Sequence, residues 1–405
     1  MSLLARPHTI RNFVALVVAV LALFIAACGG DDSPAGDSQG SGDGASAGTG
    51  LEEAQRLVDD FSGPAVFDPG GEPIDVAELR GKTNPIHLIS PTLGIPFVQV
   101  VVEAFEDAGK TAGVEGVVFD GQNDISEMQR GIEQAIQQKA GAIVLFSLDP
   151  KAFAGPLEKA QEAGIPVVSA NNGDPDDPLD PGTNANATYS YTEAGEVMAA
   201  YAAVRDKCDV NAHVITVSEY RSTKNVAAGF KDALGQFCPD AEVAESDARV
   251  ATLNTEIPSL TKTLISRNPE LNWFAPSIDV IGNFIAPAIR QLGKQDDIHI
   301  VSENGALDPN LRWIKKGDVQ LGSVGQNNKG LGWAFYDQGL RLAAGAEPSE
   351  QNIPQKLFTY ENLKDIPASA LEDQDELWDV ITKGGKSTAY EDAYRRQWSM
   401  PEVTQ

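Results

Sequence analysis

What most constrains this chain is an alternation that runs through it twice, short apolar runs separated by stretches with helical spacing. The runs at 86–90, 114–119, 142–146 and 165–170 have the length of buried strands. Between the second and third of them, Asp124 and Glu127 are spaced as a capping box, and Ile125, Met128, Ile132 and Ile136 share one helix face. The segment 151–164 is also helical, and Gly164 stands where a helix would end before Ile165. The pattern restarts at 213–218 with a helix through Val226, Phe230, Leu234 and Phe237. Strands at 241–245, 271–275, 298–302 and 319–324 follow, separated by helices near 257–267, 279–292 and 307–316. Such alternation requires parallel strands with crossover helices on both faces of a sheet. The predicted fold class is α/β, with two doubly wound parallel-sheet lobes and a cleft between them. Ligands of open α/β sheets sit beyond the carboxyl ends of the strands, so the loops that follow strands are the candidate site.

Ahead of this body the chain reads differently. Arg6 and Arg11 precede an unbroken apolar run at 13–27 that ends in small residues before Cys28. At about 1.5 Å per residue the run spans roughly 22 Å, short of a ~30 Å hydrocarbon core, so a secretory signal peptide is favoured over a permanent transmembrane helix. Ile25, Ala26, Ala27 and Cys28 resemble a bacterial lipobox, which implies removal of residues 1–27 and acylation of the Cys28 thiol. The alternative is an ordinary signal peptide in which Cys28 is one more apolar residue. Residues 28–50 carry the acylated Cys and a Gly, Ser, Asp and Ala tether, with a flexible reach of about 25 Å. Residues 51–81 form an N-terminal extension, helix-like to Phe61 and then rich in Pro and Gly.

Composition excludes several functions. With 31 Lys and Arg against 58 Asp and Glu, the formal net charge is -27. Such a surface repels phosphate backbones and points away from nucleic acid as a partner. Beyond the signal segment, His87, His213 and His299 each lie in or beside an apolar strand, away from any Cys or other His. No metal spacing, triad, P-loop, H-E-x-x-H or C-x-x-C occurs. The expectation is a chain that is not an enzyme, with no cofactor and no metal. Cys208 precedes the strand at 213 and Cys238 ends the helix that returns from it, so both thiols come back to the same end of the second lobe. In an exported protein this predicts a disulfide, the alternative being two buried free thiols.

Gln122, Asn123, Asp124 and Gln129, then 140–145, Asp149 and 163–168, resemble the first lobe of type I periplasmic substrate-binding proteins, most nearly the ribose-binding branch. Residues 92–97, Gly229 with Phe230, and Gly325 with Gln326 extend the likeness from about residue 86 to 344. The resemblance implies a three-strand hinge between lobes and capture of a small polar solute, a sugar or polyol, for an ABC permease. It implies a protein acting as a monomer and held by lipid on the outer face of the cytoplasmic membrane. The same fold also serves sensors that report a ligand to a membrane signalling protein. Lobe 1 is expected at 82–191 plus 326–347, and lobe 2 at 192–325 plus 348–405, including a C-terminal extension.

The resemblance also implies a ligand shell. Phe97 falls where an aromatic meets the apolar face of a sugar ring, or is the first core residue of a helix. Ser147 and Asp149 follow a strand and offer hydrogen-bonding groups, although Asp149 also suits a helix cap. Asn171 and Asn172 stand where the ribose branch has an Asp-Arg pair, or form a turn with Gly173. The neutral amides suit a polyol and make ribose itself a poor fit. From the second lobe come Lys224, Asp279 and Asn304, read otherwise as a solvated helix start, an N-cap and a turn. Gln326, immediately after a strand at the hinge, completes the set.

Overall fold

The computed structural model describes residues 43–304, 308–372, 377–378 and 389–401, with side chains from Thr49 onward. The expected signal segment, Cys28 and the expected tether as far as Gly42 lie outside the described residues. In chain order come α1 (Asp43–Ser62) and α2 (Val76–Leu79), then β1 (Ile86–Ser90), α3 (Pro96–Ala112), β2 (Gly116–Asp120), α4 (Ile125–Gln137), β3 (Ala142–Phe146), α5 (Ala154–Glu162), β4 (Val167–Ala170) and β5 (Ala185–Ala187). Next are α6 (Tyr191–Asp206), β6 (Asn211–Thr216), α7 (Arg221–Phe237), β7 (Glu242–Asp247), α8 (Leu253–Arg267), β8 (Trp273–Pro276), α9 (Asp279–Gln291), β9 (His299–Glu303), α10 (Asn310–Lys316) and β10 (Gln320–Gln326). The chain closes with α11 (Asn328–Ala343), β11 (Gln355–Thr359), α12 (Tyr360–Leu363) and α13 (Ala389–Gln397).

Two sheets result. The first has the order β2-β1-β3-β4-β5 and is parallel throughout. The second has the order β7-β6-β8-β9-β10-β11, parallel except where β11 returns antiparallel to β10. In both, the strand order reverses beside the first strand of the lobe, as doubly wound sheets do. β5 has only three residues and no apolar run, so nothing in the sequence marked it as a strand.

The chain crosses between lobes three times in this body, at 188–190, at 326–327 and between α11 and β11. Helix α6 packs against α7, β9 and β10, and α11 returns to pack on α3 and β3 of the first lobe. α6 and α7 approach so closely that a Cβ on Gly229 would lie 2.1 Å from the carbonyl oxygen of Thr192. Only glycine allows that contact, which accounts for the Gly229-Phe230 pair in the sequence.

The terminal segments dock where the sequence did not place them. Residues from Asp43 to Gly50, expected in the tether, belong to α1, and Ala54 of α1 is fully buried against the second lobe. Local composition favours a flexible coil here, but burial of Ala54 with Leu51, Val58 and Phe61 stabilises the helix through tertiary contact. The segment 348–405, expected with lobe 2, divides: β11 and α12 join that lobe, whereas α13 packs on α11. Its anchor is the ion pair of Asp337 and Arg341, one turn apart on α11 and 0% and 1% exposed. Trp398 Nε1 and Gln351 Nε2 donate to the carboxylate at 2.7 Å each, and the guanidinium donates to the Glu72 carbonyl at 2.8 Å and to Gln397 Oε1 at 3.2 Å. The N-terminal extension and the C-terminal tail are therefore fastened to one buried pair. Cys208 and Cys238 are joined in a disulfide with Cα atoms 5.3 Å apart, at the end of the second lobe where α6 and α7 finish.

Candidate functional site

Between the lobes, at the carboxyl ends of β1, β3 and β4 on one side and of β6, β8 and β9 on the other, lies a cavity of about 270 Å³. Phe97, Ser147, Asn171, Asp279 and Asn304 line it together. Ser147, Asn171 and Asn304 sit one residue beyond their strands with φ of 52°, 54° and 83°. The left-handed turn that ends each strand is thus also what swings its side chain toward the cleft, and Asn tolerates that conformation better than most residues. Ser147 and Asn171 are locked to each other, with Asn171 Nδ2 donating to Ser147 Oγ at 2.9 Å and the Ser147 hydroxyl donating to the Asn171 carbonyl at 3.3 Å. Tyr191 donates its hydroxyl to Asn171 Oδ1. Phe97 is 8% exposed and meets Phe146 edge to face, centroids 5.9 Å apart, so it belongs both to the core and to the cavity wall.

Asp279 is buried under the cavity at the start of α9, whose N-cap position is Ile278. Its Oδ1 accepts from the Ser302 hydroxyl, from the Ser323 hydroxyl at 2.9 Å and from Gln320 Nε2 at 3.4 Å. Its Oδ2 has no partner among the described residues. Burial raises its pKa to about 6 against the pull of those three donors. Asn283, one turn along α9, also lines the cavity, and its Oδ1 is likewise without a partner. The apolar wall comes from Pro91, Ile95, Val250, Leu253 and Ile278.

Four residues of the expected shell stand elsewhere. Gln326 is fully buried behind Asn304, donating to Asn304 Oδ1 at 3.4 Å and to Asn328 Oδ1 at 2.9 Å, with its own Oε1 unpartnered. Asp149 is exposed and accepts from Lys151 N at 3.0 Å as the cap of a short 3-10 turn. Asn172 is buried beside the cavity, its Nδ2 donating to Ser169 Oγ at 3.3 Å and its carbonyl accepting from Arg221 Nε at 3.2 Å. Lys224 is exposed on α7, and its neighbours Ser222 and Thr223 line the cavity instead.

Sequence reasoning missed Asn283, Thr223 and Glu303. Asn283 could have been found from its spacing of four from Asp279. Glu303 ends β9, is 2% exposed, and accepts from the Tyr189 hydroxyl of the first crossover at 2.8 Å. Burial lifts its pKa to about 8, with the Asp279 charge adding to the rise. Across the lobes, Arg221 at the start of α7 pairs with Asp180 at 2.5 Å, and Asn225 donates to Asp174 at 3.0 Å.

Comparison with known proteins places this arrangement. Residues 86–347 match the periplasmic binding protein domain family, and the chain belongs to that family. It is 32% identical over 88 residues to the ribose import binding protein of Bacillus subtilis, an alignment covering 22% of this chain and 29% of that protein. It is 24% identical over 278 residues to a Rhizobium meliloti protein named for rhizopine binding, covering 67% of this chain and 88% of the relative. A 5-methylthioribose transporter solute-binding protein from Thermotoga lettingae superposes with a TM-score of 0.65 at 17% identity, covering 79% of this chain and 99% of that one. At that identity the likeness speaks to the fold.

Proposed function

We propose that the protein is a lipid-anchored extracytoplasmic receptor that captures a small sugar or polyol between its lobes and delivers it to an ABC permease. The observation that carries this reading is the convergence of Ser147, Asn171, Asp279, Asn283 and Asn304 on one interlobe cavity with Phe97 in its wall. Amides, a hydroxyl and a carboxylate match a ring of hydroxyls, while an aromatic and aliphatic wall matches a C–H face. Names of the relatives that mention ribose and 5-methylthioribose support the same ligand class. Anchoring rests on Cys28 and its lipobox-like surroundings. Two acyl chains on that residue would hold it stably, where one would hold it only marginally.

A thermal-shift screen of pentoses, hexoses and cyclitols tests the binding reading, because a ligand selective for the native state raises its melting temperature. The hit should lose its effect in Asn171→Ala and Asn304→Ala and keep it in Lys224→Ala. A hit indifferent to the first two substitutions removes this site. Anchoring is tested separately by Cys28→Ser, which should move the protein from the membrane fraction to the medium or periplasm.

A further inference from the structure

Two residues that line this cavity each leave one acceptor without a partner. Asp279 Oδ2 and Asn283 Oδ1 stand one turn apart on α9 and have no donor among the described residues. Protein donors are already committed to the other side of the carboxylate, where Ser302, Ser323 and Gln320 all reach Oδ1. No Lys, Arg or His lines the cavity among the described residues. The second acid in the wall, Asp308, is held by Arg312 at 2.6 Å, and Arg221 is committed to Asp180.

An unpaired buried carboxylate is costly unless its charge is met, and no described residue of the cavity wall carries a cation to meet it. A ligand with a carboxylate or phosphate would face Asp279 with like charge. A hydroxyl supplies one donor and no charge. A protonated amine supplies three donors and the missing positive charge, enough to satisfy both free acceptors on α9. We infer that the ligand is an amine-bearing sugar or polyol whose ammonium group sits between Asp279 and Asn283. This rests on the sugar or polyol reading given above and narrows it. The aliphatic wall formed by Pro91, Ile95, Val250 and Leu253 takes the ring's apolar face, so the ammonium would enter from one side of the ring only.

The test uses matched triples on the purified protein: glucose, glucosamine and glucuronate, and the corresponding galactose, mannose and cyclitol sets, followed by calorimetry on responders. At least one amino member should bind about ten- to a hundredfold tighter than its neutral partner, the range of a charge-assisted hydrogen bond, with no binding of the acid. Asp279→Asn keeps an acceptor for Ser302 and Ser323 and should bring the affinity of the amino member down to that of its neutral partner. Asn283→Asp, which adds a second carboxylate, should enlarge the preference. Equal or tighter binding of the neutral member in every responding triple overturns the inference and leaves the sugar or polyol reading standing. No response from any triple overturns that reading and the inference with it.

Discussion

The indole Nε1 of Trp398 donates to the Asp337 carboxylate at 2.7 Å, deep inside the first lobe and 61 positions away along the chain. The same indole stacks on Trp333, with centroids 5.2 Å apart and planes 11° from parallel. The C-terminal tail is therefore part of the first-lobe core, and Arg341 binds the N-terminal extension to the same place.

Loss of this anchor should be expensive. Asp337→Ala leaves the Arg341 guanidinium buried and unpaired, a change that costs about 3 to 5 kcal/mol. Trp398→Ala empties a fully buried indole site and should cost a similar ~3 to 5 kcal/mol. Urea unfolding of both variants checks this. A loss below about 1 kcal/mol for Asp337→Ala would mean the tail does not depend on the pair.

Glu303 should make stability depend on pH. Burial raises its folded pKa from 4.5 to about 8, so between those values the unfolded chain binds fewer protons than the folded one. Its contribution to stability therefore falls as pH rises through that window. Glu303→Gln removes the effect, and the melting temperature of the variant minus that of the wild type should grow from pH 5 to pH 8. A difference independent of pH would sink the assignment.

The disulfide closes a loop of 30 residues between Cys208 and Cys238 and should contribute about 2 to 4 kcal/mol. Peptide mapping without reduction should recover the two cysteines linked, and Cys208→Ser with Cys238→Ser should lower the urea midpoint. Because the bond lies at the far end of α6 and α7 from Thr223, ligand affinity should stay unchanged in that variant.

Arg221 and Asp180 connect the lobes, with Arg221 27% and Asp180 5% exposed. Partial exposure limits the direct gain to about 1 kcal/mol, but the pair acts across the interface between the lobes. In Arg221→Ala the lobes should separate more often, seen as a larger radius of gyration in small-angle scattering without ligand. An unchanged radius would assign the pair a local role in ordering the 173–184 loop.

The strand ends were legible because apolar runs stop where the chain leaves a buried sheet, and Ser147, Asn171 and Asn304 follow directly. For these residues the turn reading and the site reading are both true, since the positive φ that makes the turn also aims the side chain. Lys224 is exposed on α7, whereas Ser222 and Thr223 line the cavity. Asp149 stands in the expected loop but spends its carboxylate on Lys151 N. Local spacing cannot decide between a cap and a ligand contact, because both use the same residue types at the same kind of position.

By itself, the sequence determined the α/β class, the two lobes and the cleft, since periodicity and apolar runs are properties of neighbouring residues and dictate which faces must be buried. It also paired Cys208 with Cys238, because a strand and its returning helix bring their ends together. Only the tertiary structure decided which acceptors stay unpartnered, that Glu303 meets Tyr189, and that α1 and α13 dock on different lobes. Those facts depend on contacts between segments far apart in the chain, such as Asp279 with Ser323 and Asp337 with Trp398, whose meeting no local pattern encodes.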